Sequence, residues 1–181
     1  MGIKNKGFTI LELVIIVAIL SVLMAFAGPS LSTMIANNRI SGGVNDFVAA
    51  MQFAKTEAAA RISPVTICKK KNDSSDCDGG GDWQRGWIVF VDVNSDADVD
   101  SDDQILMNHE ALDSRITFGG TAQVEDAITF QPSGTTSVTS AQVLIMCDER
   151  GFIDAARGVL VTITGRGSVL KAADTGQAAC L

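Results

Sequence analysis

Apolar and polar positions along the chain fall into three regimes. Residues 8–27 read FTILELVIIVAILSVLMAFA, in which 17 of 20 positions are apolar and Glu12 carries the single charge. A run apolar on every face predicts a helix that sits in lipid or in a packed bundle. About 20 helical residues span roughly 30 Å, the hydrocarbon core of a bilayer. Further on, one apolar stripe recurs at helical spacing: Val44, Phe47, Val48, Met51, Ala54, Ala58 and Ile62. Asn45, Asp46, Gln52, Lys55 and Arg61 occupy other faces. Gly28-Pro29 predicts a kink between the two parts, Gly42-Gly43 a weak point, and Ser63-Pro64 the helix end. Beyond residue 64, short apolar runs alternate with Gly, Ser, Asn and Asp. Strands are expected at 65–68, 87–91, 105–107, 116–118, 128–130, 143–146 and 159–163.

These regimes predict an α+β fold. A long N-terminal α-helix, transmembrane in its first half, packs its second half on a C-terminal antiparallel β-sheet, a lollipop layout. Residues 8–28 are the membrane or filament-core helix, 29–63 its amphipathic continuation, and 64–181 a β-rich globular domain. Lys4 and Lys6 precede the apolar run without an acid, so the short leader is expected on the cytoplasmic side and the rest across the membrane. A secretory signal peptide is the competing reading, with small residues near Met24–Gly28 for cleavage. The length of the run and the position of Glu12 disfavour it.

An ionised carboxylate in the membrane costs roughly 3 kcal/mol on insertion scales. No basic residue lies within one helical turn of Glu12. Its natural partner is an amine from elsewhere. A cut between Gly7 and Phe8 would create one, as the α-amino group of Phe8, in the same chain or in a neighbouring one. A glutamate snorkelling to the headgroups is the plainer alternative.

Gly7-Phe8-Thr9-Ile10-Leu11-Glu12 before an apolar run resembles the class III signal of type IV pilins and type II secretion pseudopilins. The resemblance implies a leader over residues 1–7, cleavage between Gly7 and Phe8 by a prepilin peptidase, and N-methylation of Phe8. It implies that Glu12 aids subunit docking. Downstream, Lys55-Thr56-Glu57-Ala58, Trp83 with Gly86-Trp87-Ile88-Val89-Phe90, Phe130-Gln131-Pro132-Ser133-Gly134, and Thr164-Gly165-Arg166-Gly167 follow in order. Their order resembles the GspH/FimT family of minor pilins and minor pseudopilins over nearly the whole chain. The resemblance implies a structural subunit, held in the bacterial inner membrane with its domain in the periplasm. Its implied partners are other pilin or pseudopilin subunits, the prepilin peptidase/methyltransferase and the inner membrane. Priming or capping of a pilus is the leading role; a type II secretion pseudopilin and a DNA-binding minor pilin of natural transformation are the alternatives.

Charge sharpens one loop. The chain has 14 Lys+Arg and 21 Asp+Glu, with mean hydropathy +0.25. Six of those acids lie in residues 92–103, DVNSDADVDSDD. Asp92, Asn94, Asp96, Asp98, Asp100 and Asp103 fall at positions 1, 3, 5, 7, 9 and 12 of that stretch, the ligand spacing of an EF-hand calcium loop. Ala97 stands where such a loop takes Gly, and Asp103 where it takes Glu. A solvated acidic loop is the alternative. Calcium is the one candidate cofactor.

Cys68, Cys77, Cys147 and Cys180 allow three pairings, and an oxidising compartment would make them disulfides. Cys68 and Cys77 flank the polar loop KKKNDSSD, and their pairing would close it; Cys147 and Cys180 would then tie the C-terminus to a strand. His109, the single histidine, is expected as an exposed residue at a strand end, and no CxxC supports zinc. No activated Ser or Cys, and no phosphate loop, points to catalysis. Some FimT-type minor pilins bind DNA through a Gly-Arg-x-Arg motif. The corresponding residues here are Gly165-Arg166-Gly167-Ser168, with the first Arg present and Ser168 in place of the second, and Arg166, Lys171 and Arg157 are the candidate phosphate contacts.

Overall fold

The computed structural model describes residues 7–71, 74–77, 79–152 and 155–181, without the side chains of 25–29. Lys4 and Lys6 lie outside the described residues. By contacts the chain falls into two compact units, Met1–Asn38 and Arg39–Leu181. Helix α1 (Ile10–Arg61) supplies both, and its backbone stays helical through Gly28 and Pro29. In the first unit the apolar side chains of α1 are exposed from Ile10 to Met24. Counted over the described side chains, no helix is long and apolar enough to cross a membrane. In the sequence the apolar run continues through Ala27.

Within the second unit, α1 buries Ile40, Gly43, Val44, Phe47, Ala50, Met51, Ala54 and Ala58. The i, i+3, i+4 recurrence makes one stripe facing the sheets. Gly43 is a contact point within it: a Cβ there would lie 2.8 Å from Met146 Sδ, so glycine lets the helix close on the sheet.

Eight strands follow: β1 (Val65–Lys69), β2 (Trp87–Val91), β3 (Gln104–His109), β4 (Ile116–Gly120), β5 (Ala127–Phe130), β6 (Gln142–Asp148), β7 (Arg157–Val161) and β8 (Gly167–Lys171). They form two antiparallel four-stranded sheets rather than the one expected, in the orders β3-β2-β1-β5 and β4-β6-β7-β8. β8 was not foreseen, because GSVLK carries two apolar residues and no alternation. Phe47 stands at the centre of the shared core. Its ring meets Trp83, Trp87 and Phe118 edge-on, with centroids 5.2, 5.2 and 5.0 Å away. Trp83 donates its indole N–H to the Val124 carbonyl at 3.0 Å.

Each sheet also has an outer face with a small apolar cluster of its own. Cys68, Ile88 and Phe90 form one, joined by Cys77, Val99 and Ala127. Val143, Ile145, Cys147, Ala156 and Ala172 form the other, joined by Phe152, Leu160 and Cys180. The disulfides Cys68–Cys77 and Cys147–Cys180 pass one through each cluster. The polar-loop reading of 69–76 is corrected at its start. Lys69 belongs to β1, and Lys69 and Lys70 are buried, with Lys69 Nζ 2.6 Å from Asp126. Residues 72 and 73 of that loop lie outside the described ones.

The stripe ends one residue early. Ile62 is 82% exposed at φ +54°, because the helix stops at Arg61 and Ser63 N–H reaches back to the Ala58 carbonyl at 3.3 Å. This is a Schellman end with a β-branched residue where glycine is usual. The left-handed backbone costs such a residue about 1–2 kcal/mol. Ile62→Gly is expected to stabilise the fold by about 0.5–1 kcal/mol after glycine's entropy cost, roughly 2–3 °C in Tm by calorimetry. A lower Tm would show that the exposed side chain packs.

Near the start of the second unit, Arg39 on α1 contacts Asp113 at 2.9 Å, and Arg115 holds the same carboxylate at 2.9 and 3.0 Å. The Arg115 side chain and backbone N–H bring the Asp113 pKa down to about 2 from 3.8. Arg150 lowers that of Asp148 in the same way. Both groups bind protons more weakly folded than unfolded. Their stabilisation is therefore complete above about pH 4 and is lost as pH falls toward 2. Asp113→Asn is expected to lower Tm at pH 7 and to flatten the fall of Tm between pH 5 and 2. An unchanged acid slope would remove Asp113 from this role.

Candidate functional site

The N-terminal motif is built on a helix start. Residues 7–9 are not helical, so the Gly7–Phe8 bond lies just ahead of α1. Gly7 has no outside atom within 4 Å of its would-be Cβ. Phe8 is 76% exposed. Thr9 caps the helix: its Oγ accepts the Glu12 N–H at 3.2 Å, and its carbonyl accepts the Leu13 N–H at 3.2 Å. Thr9-x-x-Glu12 is thus a capping-box spacing, which the sequence reading passed over. Glu12 lies in the first turn, where the helix dipole favours a carboxylate. It is exposed among exposed Leu11, Leu13, Ile15, Ile16 and Ile19. The local fold thus satisfies the backbone around Glu12 and leaves its carboxylate outward, on a surface that is otherwise apolar.

The acidic loop is anchored from inside. Asp92, the first residue after β2, is fully buried rather than solvated. Thr66 donates its hydroxyl to Asp92 at 2.7 Å, and the backbone N–H groups of Asp96 and Ala97 donate to it at 3.2 Å each. All three donors are neutral. Ala97 adopts φ +65°, the conformation for which such loops usually carry glycine at this position. Asn94 places its side-chain amide between Asp96 and Asp100, 2.8 and 3.0 Å away. Asp103 accepts the Val93 and Asp100 N–H groups at 3.4 and 3.0 Å, and Asp98 N–H donates to Asp96 at 2.9 Å. Among the described residues, no three His, Cys, Asp or Glu side chains converge as metal ligands. As it stands, the loop spends its oxygens on its own backbone.

The candidate basic residues do not meet in one place. Arg157 pairs with Lys171 at one end of the β7–β8 hairpin, and Arg166 sits in the turn at the other. Arg166 is five residue steps along the strand from Lys171, on the order of 15 Å. Arg157 is occupied by the Ala155 and Ala156 carbonyls at 3.1 and 2.9 Å. Arg150 is held by Asp148, and Asp154 lies outside the described residues.

His109 is a correction. It is half-buried, not exposed, and stacks on Trp87 with centroids 3.8 Å apart and planes 10° off parallel. Its Nδ1 lies 2.7 Å from the Glu110 carbonyl, and its Nε2 lies 3.8 Å from Asp46 on α1. The ring closes the edge of the aromatic core.

The family model described as Type II transport protein GspH matches residues 43–167, and the prokaryotic N-terminal methylation motif matches residues 3–28. No curated protein matches the chain. Two crystal structures of the type IV minor pilin FimU of Pseudomonas aeruginosa are similar in fold. One, in space group P21, is 21% identical with TM-score 0.62, covering 80% of this chain and 96% of that one. The other, in space group P65, is 20% identical with TM-score 0.60, covering 78% and 99%.

Proposed function

The chain belongs to the GspH family of type II transport proteins, and from that premise we propose that it is a minor type IV pilin that primes or caps pilus assembly near the tip. It is a structural subunit of the minor pilin and pseudopilin class and not an enzyme. The observation that carries the proposal is the single carboxylate of Glu12 on an exposed apolar helix, the fifth residue after the Gly7–Phe8 bond. A prepilin peptidase cuts that bond and the new Phe8 amine is methylated. Glu12 of an incoming subunit then docks on an amine at the filament base. Before assembly the subunit waits in the inner membrane as a single-pass protein, residues 8–28 in the bilayer and the β domain in the periplasm. The disulfides support the oxidising side.

A type II secretion pseudopilus uses the same parts. The Gly28-Pro29 junction and the four-cysteine pattern favour the pilus. For the DNA-receptor reading, Arg166 lies at one end of the β7–β8 hairpin and Arg157 and Lys171 at the other. Glu12→Ala is expected to leave the β domain folded and the leader cleaved while incorporation into surface pili falls at least tenfold, read by immunoblot of sheared filaments. Wild-type incorporation refutes the role of Glu12. Normal piliation with a secretion defect in the deletion strain moves the subunit to the other apparatus.

A second reading concerns the loop at 92–103, which we propose binds calcium through Asp92, Asn94, Asp96, Asp98, Asp100 and Asp103. Asp92 supports it as a buried carboxylate bonded by neutral donors alone, a charge that a hard cation would balance. A flip of the Asn94 amide would turn an oxygen toward the point between Asp96 and Asp100. With a Kd of about 0.1–1 mM, usual for extracellular modules, 10 mM calcium would add about 1.4–2.7 kcal/mol to stability. Calorimetry should then show heat with calcium and a Tm rise of several degrees, lost in Asp96→Asn/Asp100→Asn. No heat and no Tm shift would refute it.

A further inference from the structure

Four strands end the two sheets, and the outer sides of two of them, β5 and β4, are covered. β5 is bridged by the segment after it: Ser137 N–H donates to the Thr129 carbonyl at 2.8 Å, and Phe130 pairs with Thr136. β4 gives its Phe118 N–H to Gln84 Oε1 at 3.0 Å, and Leu181 lies against Gly119, where a Cβ would come within 2.4 Å of the Leu181 carbonyl. β3 is interrupted by a bulge opposite Val89 and Phe90, and acids flank it, Asp102 and Asp103 before and Glu110 after. The bulge and the acids leave β3 uncovered but restrict it to an edge of opposite charge.

β8 has none of these. It pairs with β7 over five unbroken positions and carries no proline and no bulge. Thr162 N–H bonds to the Arg166 carbonyl at 3.2 Å. By antiparallel alternation, Ser168 and Leu170 face their β7 partners, and Gly167, Val169 and Lys171 turn N–H and C=O outward. Among the described residues, nothing bonds that outer side. Val169 is 47% exposed, although its partner Val159 is in the core. Arg166 and Lys171 are exposed at the two ends. The open edge is thus basic at both ends, and the edge of β3 carries Asp102 at one end and, at the other, the exposed Glu110, whose carboxylate also lies 3.4 Å from the buried Lys70.

We propose that β8 receives β3 of a second copy of this chain, by strand addition with Arg166 and Lys171 set against Asp102 and Glu110. Main-chain hydrogen bonds supply the adhesion, and the four charges select the strand. Charge matches in either strand direction, because each edge carries one sign at both ends. Within one molecule the two edges flank α1 on different sides, β3 through His109 beside Asp46 and β8 through Gly167 beside Met51. The contact is therefore heterologous, joining one edge of a copy to the other edge of the next. It adds to the helix-mediated docking proposed above and does not depend on which apparatus the subunit serves.

Cross-linking of full-length protein in detergent micelles tests this. All four native cysteines are bridged, so introduced thiols report alone. A mixture of Ser168→Cys and Asn108→Cys chains should cross-link under mild oxidation at least tenfold more than a mixture of Thr117→Cys and Asn108→Cys chains, which probes the closed β4 edge. Arg166→Glu/Lys171→Glu in the Ser168→Cys chain should reduce the adduct to the control level. Asp102→Lys/Glu110→Lys in the Asn108→Cys chain should restore it. Tryptophan fluorescence of Trp83 and Trp87 checks that each variant is folded. An adduct at the control level, or one indifferent to the charge reversals, overturns the proposal; loss of Glu12 function leaves this result unchanged.

Discussion

The packing of the domain turns on Phe47. Its ring, fully buried on α1, meets Trp83 beside β2, Trp87 on β2 and Phe118 on β4, all edge-on at 5.0–5.2 Å. One helix residue thereby touches both sheets. Edge-to-face pairs add about 0.5–1.5 kcal/mol each beyond burial, and here three share one ring. The orientation they impose brings Gly43 against Met146 one turn away, so the helix can approach β6 without a Cβ in between. Nothing larger than glycine fits that approach unless Met146 moves. Three ring contacts of one phenylalanine and one missing side chain thus bring the helix close to both sheets.

Because the helix covers only the inner faces, the outer face of each sheet needs a cover of its own. A few apolar residues on each face are too few to hold a loop by burial alone. In both cases the cover is tied by a disulfide, Cys68–Cys77 on one sheet and Cys147–Cys180 on the other. Such a bridge contributes typically 2–4 kcal/mol, chiefly by restricting the unfolded chain. The fold therefore depends on an oxidising environment for its periphery and on apolar packing for its centre.

What could be read from the residues follows the same division. The apolar run, the stripe through Phe47 and Met51, and seven of the strands are periodic patterns, and periodicity survives without three-dimensional context. β8 is not periodic; it is a strand because β7 offers it a partner. The split into two sheets depends on which strands pair, which local sequence does not encode. Ile62 continues the stripe in sequence, but the helix ends before it. His109 is polar by composition, yet its ring is flat enough to stack on Trp87. Asp92 looked solvated among its acidic neighbours, whereas Thr66 sits across the strand pair and draws it inside. The motif at Gly7–Glu12 was legible because it is local, a glycine, an aromatic residue and a lone carboxylate within six residues ahead of an apolar run, although the Thr9 cap inside it was not read.

On the proposed role, the energetics of Glu12 favour register over adhesion. Every other side chain on its face of α1 gains from apolar contact at many sliding positions. A carboxylate left unpaired in that apolar setting costs about 3 kcal/mol. An amine set against it removes the cost without making the pair stronger than an apolar alternative would be. A docked helix that is one turn out of place therefore keeps most of its apolar contact yet forfeits roughly a hundredfold in occupancy. Apolar burial decides that the helices associate, and one charge decides where they stop.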